Sequence, residues 1–415
     1  MTHDLDQMLL LTSRLVKMKT VTDDSYTEHV RDIAVILKDD VGFPYVQMVP
    51  GKRNPSIIAT SEEHPDEIKL LIDGHTDTVP AKDPQAWLDN DPWSGAITGE
   101  YPNQIVHGRG AADVKGLIAG TFGAVQRVGI GNLRGLALVL ASGEESGMDG
   151  IAETLKYWPE STIPPPHAVL VLEPTDGQGI YAHKGNYMIQ VKVTGEASHS
   201  AYPSQGLNAV YWGNEFFNRT RHINKLLSRV RHQDFNGPGD LSYPTFEATL
   251  ASGGEATNVM PSHYEITFNF RPLPGNIIGQ PPLDWLNQQL ETIRGQLIQD
   301  VKKTTGKDLK IDIRIPVSAS PFFSSKDSEL MSAVLRAYSS GATTVSYATH
   351  ASRYMEWWPR FHQNSSLENN PQIVVAGPGD INKNNAHKPN EHISGNELAK
   401  TADGMEKIIR TLCYL

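Results

Sequence analysis

The chain has almost no cysteine. Cys413 is the single one among 415 residues. No disulfide framework can form within one chain, and no thiolate cluster can hold a metal, which suits a reducing compartment. Long apolar runs are missing too, and none is long enough to cross a bilayer. The short apolar stretch in "MTHDLDQMLLLTSRLVKMKT" follows acids and precedes no small-residue cleavage pattern. It reads as an amphipathic first helix, not a secretory signal, and a cytoplasmic location is expected. Positive charge is in deficit: 37 Lys and Arg against 47 Asp and Glu leave a net charge of −10. With no basic stripe to neutralise phosphates, a nucleic-acid partner is argued against. Internal repeats and low-complexity segments are also absent. What remains, 39% hydrophobic and 20% charged residues, fits a folded protein, and 415 residues exceed one ordinary core.

Two styles of patterning divide the chain. The first part alternates helical segments such as "EHVRDIAVILKDDVG" with strands that are nearly all apolar: "PSIIAT", "IKLLIDG", "GLALVLASGEE" and "HAVLVLEPT". Continuous apolar strands separated by helices predict a mixed or parallel α/β sheet covered on both faces. The helix "DVKGLIAGTFGAVQRVG" is rich in small residues and is expected to pack closely. Near Lys184 the style changes. "NYMIQVKVTG", "TFEATLASGG", "SHYEITFNFRP" and "LKIDIRI" alternate apolar with polar residues, and helices are expected over about 206–231 and 283–304. That order is a βαββαβ, ferredoxin-like α+β unit with one solvated sheet face. After "SPFF" the covered style returns. The expected organisation is therefore a covered α/β domain from residues 1–184 and 317–415, interrupted by an inserted domain at 185–316.

Chemistry gathers where the apolar strands end. "KLLIDGHTDTVPA" ends in His75 with Asp73 and Asp77 beside it. Residues two apart on an extended segment point the same way, so the Asp77 carboxylate could orient the imidazole of a metal ligand. Such a pair is also a common structural feature. "VHGRGAADVKG" has two glycines of a dinucleotide fingerprint, but Asp113 occupies the third glycine position and would repel a pyrophosphate. Asp113 suits a cation, or a helix N-cap. "LVLASGEESG" sets Glu144 and Glu145 side by side. A divalent cation would relieve their repulsion, with one carboxylate as ligand and the other facing water; the alternative is an exposed acidic turn. Glu173 ends "VLVLEPT", and His387 lies in "GPGDINKNNAHKPNEHIS". Ligands of covered α/β sheets bind at the carboxyl ends of the strands, so one crevice could collect His75, Asp113, Glu145, Glu173 and His387. Five N and O donors without thiolates exceed the usual set of one catalytic zinc and fit two metals sharing a bridging carboxylate.

The motifs "GHTDTVP", "GRGAADVKG", "SGEESG", "LEPT" and "AHKP", with "HKGNYMIQVKVTGEASHSAYPSQGLNAV", resemble the M20 metallopeptidase family. Within it they are similar to the acetylornithine deacetylase and succinyl-diaminopimelate desuccinylase branch, and the likeness covers nearly the whole chain. It implies a two-zinc catalytic domain, with cobalt as a substitute metal, and an inserted lid that pairs two subunits as a homodimer. It assigns His75 and Glu173 to one metal, Glu145 and His387 to the other, Asp113 to both, Asp77 to orienting His75, and Glu144 to the general base. His199 in "GEASHSAYP" would help hold the oxyanion, while Asn258 and Arg271 in "TNVMPSHYEITFNFRP" would contact substrate. The implied substrate is a small N-acyl amino acid or short peptide, with N-acetylornithine, and so arginine biosynthesis, in the lead. A desuccinylase, a dipeptidase or carboxypeptidase, a broad aminoacylase and a non-catalytic ligand-binding relative are the alternatives. The chain departs from the branch at "SYATHASRYMEWWPRFH", where Thr349, His350 and Ala351 replace a stretch that commonly carries an aspartate. The aromatics Tyr354, Trp357, Trp358 and Phe361 there are expected in the core or at a subunit contact, or else shaping an apolar pocket. Extra lid sequence, "RVRHQDFNGPGDLSYP", is expected to be a surface loop.

Overall fold

A computed structural model describes residues 2–235, 242–363, 365–368 and 370–415. The extra lid sequence lies partly outside the described residues. The chain divides into two compact units: Met1–Tyr181 with Phe323–Thr343 and Thr349–Leu415, and Ala182–Phe322 with Thr344–Ala348.

The first unit is built on a mixed sheet. Its strands run in the order Tyr45–Val49, Ser56–Thr60, Leu136–Ala141, Leu70–His75, Val169–Leu172, Ile373–Ala376 and then Gly179–His183. The four central strands are parallel, and the flanking ones are antiparallel. Every residue of the four central strands is buried, as a sheet covered on both faces requires. The small-residue helix Gly116–Val128 packs against the first helix, Thr2–Lys17, and the last, Gly395–Cys413. A Cβ on Gly120 would stand 2.7 Å from Thr401, so glycine is what allows the close approach. The last helix starts on a capping box of Ser394 and Glu397.

The segment with the unusual aromatics forms a helix, Ala351–Phe361. Tyr354 and Trp358 are fully buried, Trp158 stacks at a tilt on Phe361, and Trp358 Nε1 donates to the Leu367 carbonyl at 2.6 Å. Tyr354 and Trp358 are core, whereas Trp357 and Phe361 are half-buried, with the Arg360 guanidinium 4.6 Å from the Trp357 ring centroid.

The second unit is a four-stranded antiparallel sheet. Its order is Thr245–Gly253, His263–Arg271, Asn186–Thr194 and Lys310–Ala319. Helices Ala209–Leu227 and Pro282–Thr305 complete the βαββαβ order. Burial alternates along Asn186–Thr194, with Tyr187, Ile189, Val191 and Val193 inside among Phe216, Phe268, Leu286 and Leu290. The opposite face is polar, including Gln190, Lys192, Glu265, Asp312 and Arg314.

Candidate metal centre

The parallel strands of the first unit deliver their last residues to one edge of the sheet. His75 ends its own strand, Glu144 and Glu145 begin a short helix just past Ala141, and Glu173 follows Leu172 directly. Asp113 comes from a tight turn, Ala111–Lys115, with non-helical backbone of φ −120° and ψ 88°. It makes no capping bond to the helix that follows, so it is not an N-cap. His387 comes from a turn after the Ile373–Ala376 strand, with φ 63°.

These residues meet. His75 Nε2 lies 3.0 Å from Asp113 Oδ1, and His387 Nε2 lies 3.2 Å from Asp113 Oδ2 and 3.1 Å from Glu145 Oε1. Each oxygen of Asp113 therefore faces a different histidine. Ligand atoms of His75, Asp113 and Glu173 lie within 4.8 Å of one another, as do those of Asp113, Glu145 and His387. A third such group, His75 with Glu144 and Glu145, places Glu144 beside the first two.

Charge is unbalanced here. Burial, with the charges of Glu145, Asp77 and Asp113 adding to it against His75, pushes the Glu144 carboxyl well above its usual range. Burial and the charges of Asp113 and Glu144 do the same to Glu173. The imidazoles move up. Burial alone would depress His75, but Asp113, Glu144 and Asp77 outweigh it; hydrogen bonds to Asp113 and Glu145 push His387 to about 11. Asp113, held between the two imidazoles, falls well below the carboxylate range in spite of its burial. A partly buried cluster that retains protons in this way lacks positive charge. Divalent cations would supply it, and the donors are the N and O types that zinc accepts. The residues present fit such a group.

Asp77 acts differently from the sequence expectation. The hydrogen bond of His75 Nδ1 goes to the main-chain carbonyl of Asp77 at 2.9 Å, with the carboxylate 3.7 Å away. Both carboxylate oxygens accept instead from the backbone, Oδ1 from Glu144 N–H at 3.0 Å and Oδ2 from Glu145 N–H at 3.1 Å. The start of that short helix offers unsatisfied N–H groups, and a buried carboxylate satisfies two at once. Asp77 thus places Glu144 and Glu145 as well as His75.

Sequence reasoning passed over Glu391. It is fully buried, accepts from Arg109 Nη1 at 2.6 Å, and takes the N–H groups of Ala112 and Asp113 at 3.1 Å each. Burial pushes its carboxyl up to about 7. It fixes the turn that presents Asp113. Its only signal was a position four residues after His387.

His199, Asn258 and Arg271 belong to the second unit. His199 and Asn258 meet there: Ser198–His199 pairs with Val259–Met260, and Ser200 N–H donates to the Asn258 carbonyl at 3.0 Å. His199 is exposed, and its Nδ1 accepts from Ala201 N–H at 3.1 Å, so Nε2 carries the proton. Arg271 ends its strand with Nε held by Asn269 at 2.7 Å, and Asn269 is held by Asn186 at 2.8 Å.

The chain is similar to known proteins along most of its length. The sequence profile of peptidase family M20/M25/M40 matches residues 71–411. An acetylornithine deacetylase of Salmonella arizonae is 29% identical over 378 residues, which is 90% of this chain and 88% of that protein. Among solved structures, a family M20 metallo-carboxypeptidase of Sulfolobus solfataricus has a TM-score of 0.71 at 15% identity, covering 98% of this chain and 99% of that one. The dipeptidase Dug1p of Saccharomyces cerevisiae has a TM-score of 0.68 at 15% identity, covering 98% and 97%. At such identities the two structures speak for the fold. The sequence match, spanning most of the chain, goes further: the protein is a metallohydrolase of peptidase family M20/M25/M40.

Proposed function

We propose that the protein hydrolyses the amide bond of an N-acyl amino acid, releasing a carboxylate and the free amino acid, with N-acetylornithine as the leading substrate. The observation that carries this reading is Asp113, whose two oxygens face two different histidines. His75 and Glu173 would complete one cation site; Glu145 and His387 would complete the other, with zinc as the expected metal and cobalt as an alternative.

Bound there, two cations would acidify water and polarise the substrate carbonyl. Glu144 is the base. It takes a proton from the attacking water as the new C–O bond forms, then passes it to the nitrogen as the C–N bond breaks. From the lid, the His199 Nε2–H is a donor of the kind that holds a developing oxyanion. Asn258 is a second polar contact, and the Arg271 guanidinium, its Nη groups bonded to nothing among the described residues, would clamp the substrate carboxylate. Pairing of two lids into a homodimer is supported by the Thr245–Gly253 edge strand, on which Leu250 is 69% exposed. The site is proposed to work in the cytoplasm on small molecules, without nucleic acid or membrane. Among the described residues, no helix is long and apolar enough to cross a bilayer.

The substrate reading rests on the relatives' name and is tested by amine release. Zinc-loaded protein is offered N-acetylornithine, N-succinyl-diaminopimelate, other N-acyl amino acids and dipeptides, with a chelated control. Release from N-acetylornithine or close analogues, abolished by chelation, is the expected result. Release from the succinyl compound alone would make the protein a desuccinylase, and from dipeptides alone a peptidase. No release with metal bound would leave a binding role.

A further inference from the structure

An aspartate interrupts the apolar strand that delivers His75. Asp73 is fully buried and lies two residues before His75, on the same face of the strand. Its Oδ1 stands 2.6 Å from His350 Nδ1, and its Oδ2 accepts the Tyr354 hydroxyl at 2.9 Å. His350 is 1% exposed and Tyr354 not at all. His350 precedes the helix Ala351–Phe361, and Tyr354 lies one turn further on, so one helix face presents both partners. The ring of His350 then stands edge-on to His75, with centroids 6.4 Å apart and planes at 79°.

This arrangement is costly if its only task is packing. A buried carboxylate must be compensated by donors, and an apolar side chain would fill the same space without that demand. His350 also keeps Nε2 buried with no hydrogen-bond partner. An atom so enclosed cannot meet substrate, and His350 belongs to none of the candidate ligand groups among the described residues. What it touches is the ring of His75. That ring is tied at Nδ1 to the Asp77 carbonyl, which still allows it to tilt about the bond. The imidazole edge of His350, itself locked by Asp73, limits the tilt.

We propose that Asp73, His350 and Tyr354 form a buried positioning network for His75, setting the affinity and ligand field of the cation held by His75, Asp113 and Glu173, while the Asp113–Glu145–His387 site is left nearly untouched. The inference rests on the metal-centre reading above. Partners that orient a ligating histidine commonly change metal affinity by about 10–100-fold when removed.

The test is titration of chelator-treated protein with cobalt(II), read by visible absorption and by competition with a chromophoric chelator. Two cations should bind to the unaltered protein. His350→Ala should weaken one of them at least about tenfold and alter its absorption bands, leaving the other step in place. Asp73→Asn, which keeps the shape and can keep both hydrogen bonds, should shift the same bands by a smaller amount, and it carries the test should His350→Ala not fold. Tyr354→Phe leaves the tie to His350 and should move least. Unchanged affinities and spectra in folded His350→Ala and Asp73→Asn would overturn the proposal and reduce the network to packing. Unaltered protein that binds no cobalt would instead overturn the metal centre itself, and the inference with it.

Discussion

The two sheets of this protein carry their polar residues in opposite ways. In the first unit the central strands are buried from end to end, and apart from Asp73 the polar side chains gather where they stop. In the second unit every other residue of the Asn186–Thr194 strand faces outward, so polar side chains are spread along the sheet. A covered parallel sheet concentrates polar side chains at one edge, where they shift one another's protonation. A half-solvated antiparallel sheet keeps them apart and solvated. The difference shows in the pKa shifts: they are large and mutual around Asp113, while in the lid Arg271 is displaced downward by burial alone.

The comparison can be broken at its strongest point first. Glu144→Gln should lower kcat by about 10²–10⁴-fold, the usual worth of a general base, with metal content unchanged; activity near the original would remove Glu144 from the chemistry. Glu391→Ala comes next. It leaves the Arg109 guanidinium and the Ala112 and Asp113 N–H groups buried without their acceptor, and should cost about 3–5 kcal/mol of stability in denaturant melts. A variant as stable as the parent would show that the Asp113 turn stands without it.

The lid can be probed by pH. His183 is fully buried there, and burial, aided by the charge of Arg271, pulls it down to about 4. Its folded pKa lies below the unfolded value, so the unfolded chain binds the extra proton between them. Stability therefore falls as pH drops from 6.5 towards 4, by roughly 3 kcal/mol in all. His183→Gln should flatten that limb of the stability profile, and an unchanged slope would assign the acid sensitivity elsewhere. The smallest effect is expected at Arg271. Arg271→Lys keeps the charge and loses the fork, and should raise KM for an acylated amino acid by about tenfold with little change in kcat. An effect on kcat alone would move Arg271 from binding to the reaction.

The same contrast explains what could be read beforehand. His75, Asp113, Glu144, Glu145 and Glu173 stand out because apolar strands or glycine-rich turns run straight into them. His199, Asn258 and Arg271 lie in segments where polar residues are ordinary; the family likeness drew attention to His199, and Arg271 stood out only by ending its strand. Asp77 was noticed, but its use was not, because the N–H groups it binds belong to a helix start 67 and 68 residues away. Glu391 and the Asp73–His350–Tyr354 network were out of reach for a similar reason. Their partners lie 277 to 282 residues away in sequence, and nothing local pairs them. At position 350 the sequence showed only a missing aspartate. The structure shows an imidazole turned inward onto another one.

The central claim is that Asp113 joins two cation sites at the ends of the covered strands. The most direct measurement is the metal content of the dialysed protein beside Asp113→Asn. The account predicts two tightly bound divalent cations per chain in the former and less than one in the latter. Equal content in both, or a single cation in each, would contradict it.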